Sequence, residues 1–463
     1  MNSIKYAYAP NCEIWDILKP AKPENQKLKL LGLASQLFPD PYVGRKHTAE
    51  FLSKGFKTVV DAQFVTADGD FATVDFVYNK NNFYFVTEST TISSEQKRKA
   101  AFAVYAAEKD TATGGVKAEN VYILAVDKAY VKHGKVKAID FFDVIDITDD
   151  VKVMVQTVKS ELRQVPKTTA NSLSGKCSKC PHKNTCKGIF ETNSDVMNLM
   201  RTSVEKKAML MNLGCVTYKD ALPHLTEGTT AYKQALAHIA GDRYTLFDPD
   251  KIAEWINNLE YPLYFLDFET LQECIPEFDG QKPFDQIPFQ FSLHIQDKPG
   301  GALRHVEFLG DPKTDYREEL VKTLVDSIGT KGSIIAYNAS FEKNRIKEMA
   351  ETFPAYKNEL SFMVERFADL MDPFSKMWIY YPNQNGSYSI KHVLPSMFPC
   401  DPELDYSDLS QVHNGTEAMD TFREMKTMYI NDYEEARRNM LNYCRLDTYA
   451  MVKILGKLAE IIK

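Results

Sequence analysis

Asp267 and Glu269 close the apolar run at residues 261–270, YPLYFLDFET. Alternation along a strand puts both carboxylates on one side. Buried carboxylates are costly unless paired or bound to a metal. Two further acids stand where they could join them. Glu342 follows the apolar stretch GSIIAYNAS, and Asp447 lies on a terminal helix with Tyr443 one turn earlier on the same face. Two magnesium or manganese ions about 4 Å apart need such a set of oxygen ligands. One ion would lower the pKa of an attacking water and the other would stabilise the leaving oxygen of a phosphodiester. Tyr443 could position that water through its hydroxyl.

A second constellation is KCSKCPHKNTC, with Cys177, Cys180 and Cys186 spaced C-x2-C-x5-C. Three thiols this close, in a chain expected to be cytoplasmic, read as metal ligands rather than disulfide partners. Zinc or a four-iron cluster needs a fourth ligand. Of the remaining cysteines, 12, 215, 274, 400 and 444, Cys12 is the best candidate. Substrate contacts are expected from Asn338, Ser389 and Lys391, the last two in NGSYSIKHVLP, whose polar groups suit phosphate and sugar. These groups could equally cap the helix that follows, and His392 could face solvent. Asp369 reads either as a further acid beside the site or as a capping residue.

The elements that must position these residues fall into two regions. Residues 1–190 read as a helix ending at Gly55, strands at KTVVDAQFVTA, FATVDFVYN and NFYFVTES, the helix SSEQKRKAAFAVYAAEK and a strand at NVYILAVDKAYV. Residues 191–254 read as a polar helical connector. From 255 to 463 three strands precede a helix, a strand and a second helix, and the chain ends on a periodic helix. Leu446, Ala450, Met451, Ile454, Leu458 and Ile461 recur there at three- and four-residue steps, so one side should pack on a core. The fold class expected is α/β in two domains.

Composition is that of a soluble globular protein, 44% apolar and 26% charged. No apolar run approaches the roughly 20 residues of a membrane span, and the start lacks the apolar region of a signal peptide. A cytoplasmic location without membrane partners is expected. The net charge of −7 argues against coating nucleic acid by charge alone. It does not exclude a nucleic-acid enzyme, in which an acidic metal site is combined with local basic tracks such as VGRKH and EQKRKA.

LDFET, YNASFE and YCRLD together resemble the three motifs of RNase H-like 3′–5′ exonucleases of the DEDD superfamily, in the Y-x-x-x-D subgroup. The resemblance implies Asp267, Glu269, Glu342 and Asp447 as metal ligands and Tyr443 as the water-orienting residue. Glu342 stands where the family carries Asp. A longer pattern, including IPFQFSLHI, RFADLMDPF, YYPNQNGSYSIKHVLP and YCRLDTYAM, covers most of residues 255–463. It resembles a bacterial family that joins such a domain, with a mixed sheet flanked by helices, to an N-terminal RecB-type nuclease-like domain.

The cysteines resemble those of iron–sulfur nucleases of the PD-(D/E)xK type, which have a restriction-endonuclease-like core. That resemblance implies a [4Fe–4S] cluster on Cys12, Cys177, Cys180 and Cys186, with zinc as the alternative and His182 as a substitute ligand. Asp75 and Glu88 fall on the strands that carry the nuclease centre in that family. Thr90 occupies the lysine position, Ala103 stands near the expected glutamine, and Lys97 or Lys99 are the ammonium groups that could reach in. The N-terminal site is therefore read as degenerate. Together the resemblances imply a metal-dependent 3′–5′ exonuclease acting on nucleic acid, DNA ahead of RNA. The alternative is a non-catalytic nucleic-acid-binding subunit of a repair or defence complex.

Overall fold

The computed structural model describes residues 31, 40–162, 195–399, 401–404, 412 and 414–463. Cys12, Cys177, Cys180, Cys186 and His182 lie outside the described residues. The fold is mixed α/β, and the chain divides into two compact units. One comprises residues 1–189 and 273–285, the other 190–272 and 286–463. Residues 191–254, expected as a connector, thus group with the second unit.

The first unit opens with α1 (Pro41–Ser53), then β1 (Thr58–Val65), β2 (Phe71–Tyr78) and β3 (Asn82–Val86) as an antiparallel meander. α2 (Ser94–Lys109) starts on a capping box, in which Ser93 and Gln96 satisfy each other's backbone amides. It crosses to β4 (Asn120–Val126), parallel to β3, and β5 (Phe142–Asp146) closes the edge of the five-stranded sheet. α3 (Thr148–Leu162) follows. Val59, Phe64, Val74 and Phe83 bury one sheet face against Phe102, Val104 and Val155. A smaller cluster, Val86, Leu124, Val126 and Phe141, packs with Cys274, Ile275 and Phe284 from the 273–285 segment.

The second unit begins with α4 (Val204–Asn212), α5 (Thr230–Ala240) and α6 (Pro249–Asn257), with the short β6 (Thr245–Leu246) between the last two. β7 (Leu263–Gln272) and β8 (Gln286–Gln296) form a long antiparallel hairpin, and β9 (Leu303–Leu309) adds to its outer edge. After α7 (Arg317–Ser327), β10 (Ile334–Ala336) pairs parallel to β7. α8 (Ser340–Thr352) and α9 (Lys357–Val364) lead to β11 (Phe367–Asp369), parallel to β10. The sheet order is β11-β10-β7-β8-β9. β12 (Ile379–Tyr380) pairs with β6, and α10 (Ile390–Met397), α11 (Gly415–Glu424) and the 32-residue α12 (Ile430–Ile461) complete the unit.

β7 explains the two-sided core. Tyr264, Leu266 and Phe268 pack against α7, α8 and α9 through Leu320, Leu324, Ile346 and Leu360. Leu263 and Phe265 point the other way, to Ala450, Met451, Ile454 and Leu458 of α12. The apolar stripe read from the terminal helix is therefore its core face. Period two then carries Asp267 and Glu269 to the α12 side as well.

Candidate metal centre

The rotation of α12 over the sheet is fixed by buried polar contacts. Gln290 of β8 donates to Met440 O at 2.8 Å. The Thr448 hydroxyl meets Ser292 Oγ at 2.7 Å and His294 Nδ1 at 2.8 Å. Ser292 also contacts His305 Nε2, from β9. With Thr448 held against β8, its neighbour Asp447 faces the end of β7. Asp267, Glu269 and Asp447 each offer an oxygen within 4.8 Å of the others. This is the one such three-ligand group among the described residues.

Glu342, the fourth acid expected, is not part of that close group. It lies in the first turn of α8 and is only 3% exposed. Its Oε2 is buried without a hydrogen-bond partner. It still acts on Asp267 and Glu269 through its charge.

The electrostatics are those of crowded, buried acids. Burial, then Asp447, Glu269 and Glu342, hold the Asp267 carboxyl well above its ordinary value. Burial and Asp447 push Glu269 up to about 8, with Lys391 opposing. Burial also pushes Glu342 up to about 8, helped by Asp369 and opposed by Arg345. Tyr443 is buried, and desolvation together with the three neighbouring carboxylates keeps its phenol protonated.

Lys391 is exposed at the start of α10, with Nζ 5.8 Å from the Tyr443 ring centroid. Its charge reaches Glu269, so it belongs to this site. Ser389 and Asn338 line a cleft of the same unit. His392 is exposed. Asp369 accepts the amides of Asn338, Ala339 and Met371 at 3.0–3.1 Å. These bonds tie down the link from β10 into α8, where Asn338 sits at φ 73°, and the charge of Asp369 also acts on Glu342.

Two participants escaped the sequence reading. The fully buried Cys444 thiol donates to Asp267 Oδ2 at 3.6 Å. α11 begins at Gly415, where a Cβ would stand 3.2 Å from Glu269 Oε2. Asn414 caps that helix by accepting from Glu417 N. The sequence signal was available as Asn-Gly before Glu417, an N-cap pattern.

In the first unit, Asp75 Oδ2 accepts the Val86 amide at 2.8 Å, and Glu88 is exposed just beyond β3. Lys97 and Lys99 do not reach in: Lys97 pairs with Asp150, and Lys99 with Glu95. Ala103 is buried in the core. Asp75 and Glu88 belong to no three-ligand group among the described residues.

Among the described residues no helix is long and apolar enough to cross a membrane. A family model described as a domain of unknown function (DUF2779) matches residues 264–389. That span holds Asp267, Glu269 and Glu342, while Tyr443 and Asp447 lie beyond it. Among curated proteins, the chain is similar to uncharacterized protein UU173 of Ureaplasma parvum, at 32% identity over 41% of this chain and 30% of that protein. It is also similar to uncharacterized protein MG366 of Mycoplasma genitalium, at 27% identity over 46% of this chain and 34% of that protein. The MG366 homolog of Mycoplasma pneumoniae is 30% identical over 43% of this chain and 32% of its own length. The matched part of the chain thus spans about a third of the length of these relatives. No solved structure matches the chain significantly.

Proposed function

We propose that the second unit is a divalent-metal-dependent phosphodiesterase acting on nucleic acid, with 3′–5′ exonuclease the reaction its motifs favour. The observation that carries this reading is the convergence of Asp267, Glu269 and Asp447 within 4.8 Å of one another. The donor set fits a hard cation: three oxygen ligands, two of which, Asp267 and Glu269, are held above their ordinary pKa by burial and by neighbouring acids, beside a buried Glu342 oxygen that lacks a donor among the described residues. Asp267, Glu269 and Asp447 would hold magnesium or manganese, with Glu342 reaching a second ion. Bound there, the ions would acidify the attacking water and offset charge on the leaving oxygen.

The chain's own groups supply the remainder. Tyr443 stays a neutral phenol and can hold a water or phosphate oxygen by hydrogen bond. Lys391 offers an exposed ammonium beside that ring for the scissile phosphate. Cys444 fixes one Asp267 oxygen and leaves the other to the cation. The sheet order β11-β10-β7-β8-β9, in which β8 alone runs against the other four strands, supports the RNase H-like reading.

One observation favours a second reading, a binding subunit without catalysis: Glu342 stands outside the close carboxylate group. End-labelled single- and double-stranded DNA and RNA, incubated with the full chain and Mg²⁺ or Mn²⁺, separate the two. Metal-dependent release of mononucleotides that disappears in Asp267→Ala supports the enzyme. No release, or release that survives the substitution, leaves only the binding reading. The proposed [4Fe–4S] cluster is a separate matter. Iron, sulfide and zinc content of anaerobically purified protein, with and without Cys180→Ser, tests it, and stoichiometric zinc without iron would replace it.

A further inference from the structure

The second unit also holds a cleft of about 950 Å³ that none of the carboxylates or Tyr443 lines. Its walls come from the segment leading into α4, the link between β10 and α8, and the turn before α10. No Asp or Glu lines it, although the chain carries 63 acids against 56 lysines and arginines. Two cations do, Arg201 and Lys207. Among the described residues neither meets a carboxylate. The Arg201 guanidinium donates to Ser375 O at 3.0 Å, and Lys207 Nζ to Met197 O at 2.8 Å. Burial lowers the Lys207 pKa, so an anion alongside would restore an interaction that water no longer supplies.

Three helices start at the rim. Thr202 and Ser203 lead into α4, and Asn338 precedes α8. Ser389 is the N-cap of α10, and its side chain makes no capping bond. At two of them an acceptor already takes an amide, Ser203 Oγ that of Lys206 and Asp369 that of Ala339, whereas each start still carries partial positive charge. Much of the remaining wall is apolar or aromatic: Met200, Met371, Tyr388 and Ile390. Basic and apolar groups in one lining, in a volume typical of ligand clefts, suit a phosphate joined to a flat ring.

We propose that this cleft binds one nucleotide unit, with its phosphate at Arg201, Lys207 and the helix starts and its base against Tyr388 and the methionines. The proposal rests on the nucleic-acid reading above and deepens it by naming a second contact for the substrate. The cleft shares the β10–α8 link with Glu342 and the turn before α10 with Lys391. A nucleotide held there is tied to both catalytic elements. The same chemistry can arrive as a free mononucleotide or as one residue of a strand.

The test uses full-length protein in EDTA, titrated by calorimetry with adenosine 5′-monophosphate, inorganic phosphate and a short single strand. A nucleotide ligand should bind at least about tenfold more tightly than phosphate, and Arg201→Gln with Lys207→Gln should weaken it by about tenfold or more. Binding of the strand alone assigns the source to a polymer, and binding of the monophosphate alone to a free nucleotide. If both bind, they must compete.

Asn385→Asp carries the test if the double variant does not fold. It adds one negative charge to the cleft lining, is isosteric, and suits the local φ of 48°. About tenfold weaker binding is expected. Absence of nucleotide binding, equal affinity for bare phosphate, or affinities unchanged in these variants would overturn the proposal. EDTA removes hydrolysis from the readout. An inactive protein that binds nucleotide here would sink the enzyme and keep the cleft, and an active one that does not would do the reverse.

Discussion

The Cys444 thiol and the Asp267 carboxylate form a contact that joins α12 to the end of β7. Sγ lies 3.6 Å from Oδ2, and the cysteine is fully buried. A donor on one carboxylate oxygen sets which oxygen faces the metal, as outer-shell partners of metal ligands generally do. Cys444→Ser keeps a donor and should leave Mn²⁺ affinity close to wild type. Cys444→Ala removes it and should weaken Mn²⁺ binding by about tenfold. Paramagnetic titration of Mn²⁺ reads both, and equal affinities in the two variants would remove the positioning role.

Asp267→Asn should separate function from stability. Metal-dependent hydrolysis is expected to fall by about 10²–10³-fold, the scale of losing one electrostatic contact in a transition state. The metal-free melting temperature should rise, because one of three mutually repelling carboxylates is gone. Calorimetry in EDTA checks this, and a lower melting point would speak against the repulsion.

The pH dependence of the metal-free protein has a definite sign. Glu269 and Glu342 rise from 4.5 to about 8 on folding, so the native state binds more protons in that window and stability falls as pH climbs through it. His294 and His305 are lowered from 6.5 to about 3 and about 4, so their contribution is lost only as pH drops below 6.5. Between pH 6.5 and 8 these carboxylates act without the histidines. The melting temperature in EDTA should therefore decline across that interval, and Mn²⁺ should flatten or reverse the slope by displacing protons.

Gly386 closes the cleft wall against the chain at Asn198. At φ 78° its added Cβ would stand 1.8 Å from the Asn198 carbonyl oxygen, a backbone atom that cannot step aside. Gly386→Ala should cost more than about 2 kcal/mol, measurable by urea unfolding. An unaffected midpoint would mean that this wall can shift.

Much of the second unit was legible because its signals are local. YPLYFLDFET places Asp267 and Glu269 on one face with no knowledge of the partner strands, and the periodic stripe on α12 orients Asp447. Glu342 illustrates the limit: its motif gives its place at the start of α8 but not its distance from the other acids, which depends on how that helix meets the sheet. Cys444 and Gly415 were missed for a related reason. Each meets a residue far away in the chain, and a lone cysteine or glycine carries no spacing pattern. The segment before α4 looked like a polar tether for the same reason. Gln234, which takes the Met200 amide and donates to Asn198 O, secures it in ways that only three dimensions reveal.

The 273–285 segment, which packs Cys274, Ile275 and Phe284 with Leu124 and Phe141, lies between the two strands of the β7–β8 hairpin. The polypeptide therefore leaves the second unit immediately after β7 and re-enters it at Gln286. A truncation at residue 190 would yield a first fragment lacking part of its own apolar cluster. The second fragment would keep that piece with its partners deleted. Permutation of the chain, rather than scission, is the route to a self-sufficient second unit.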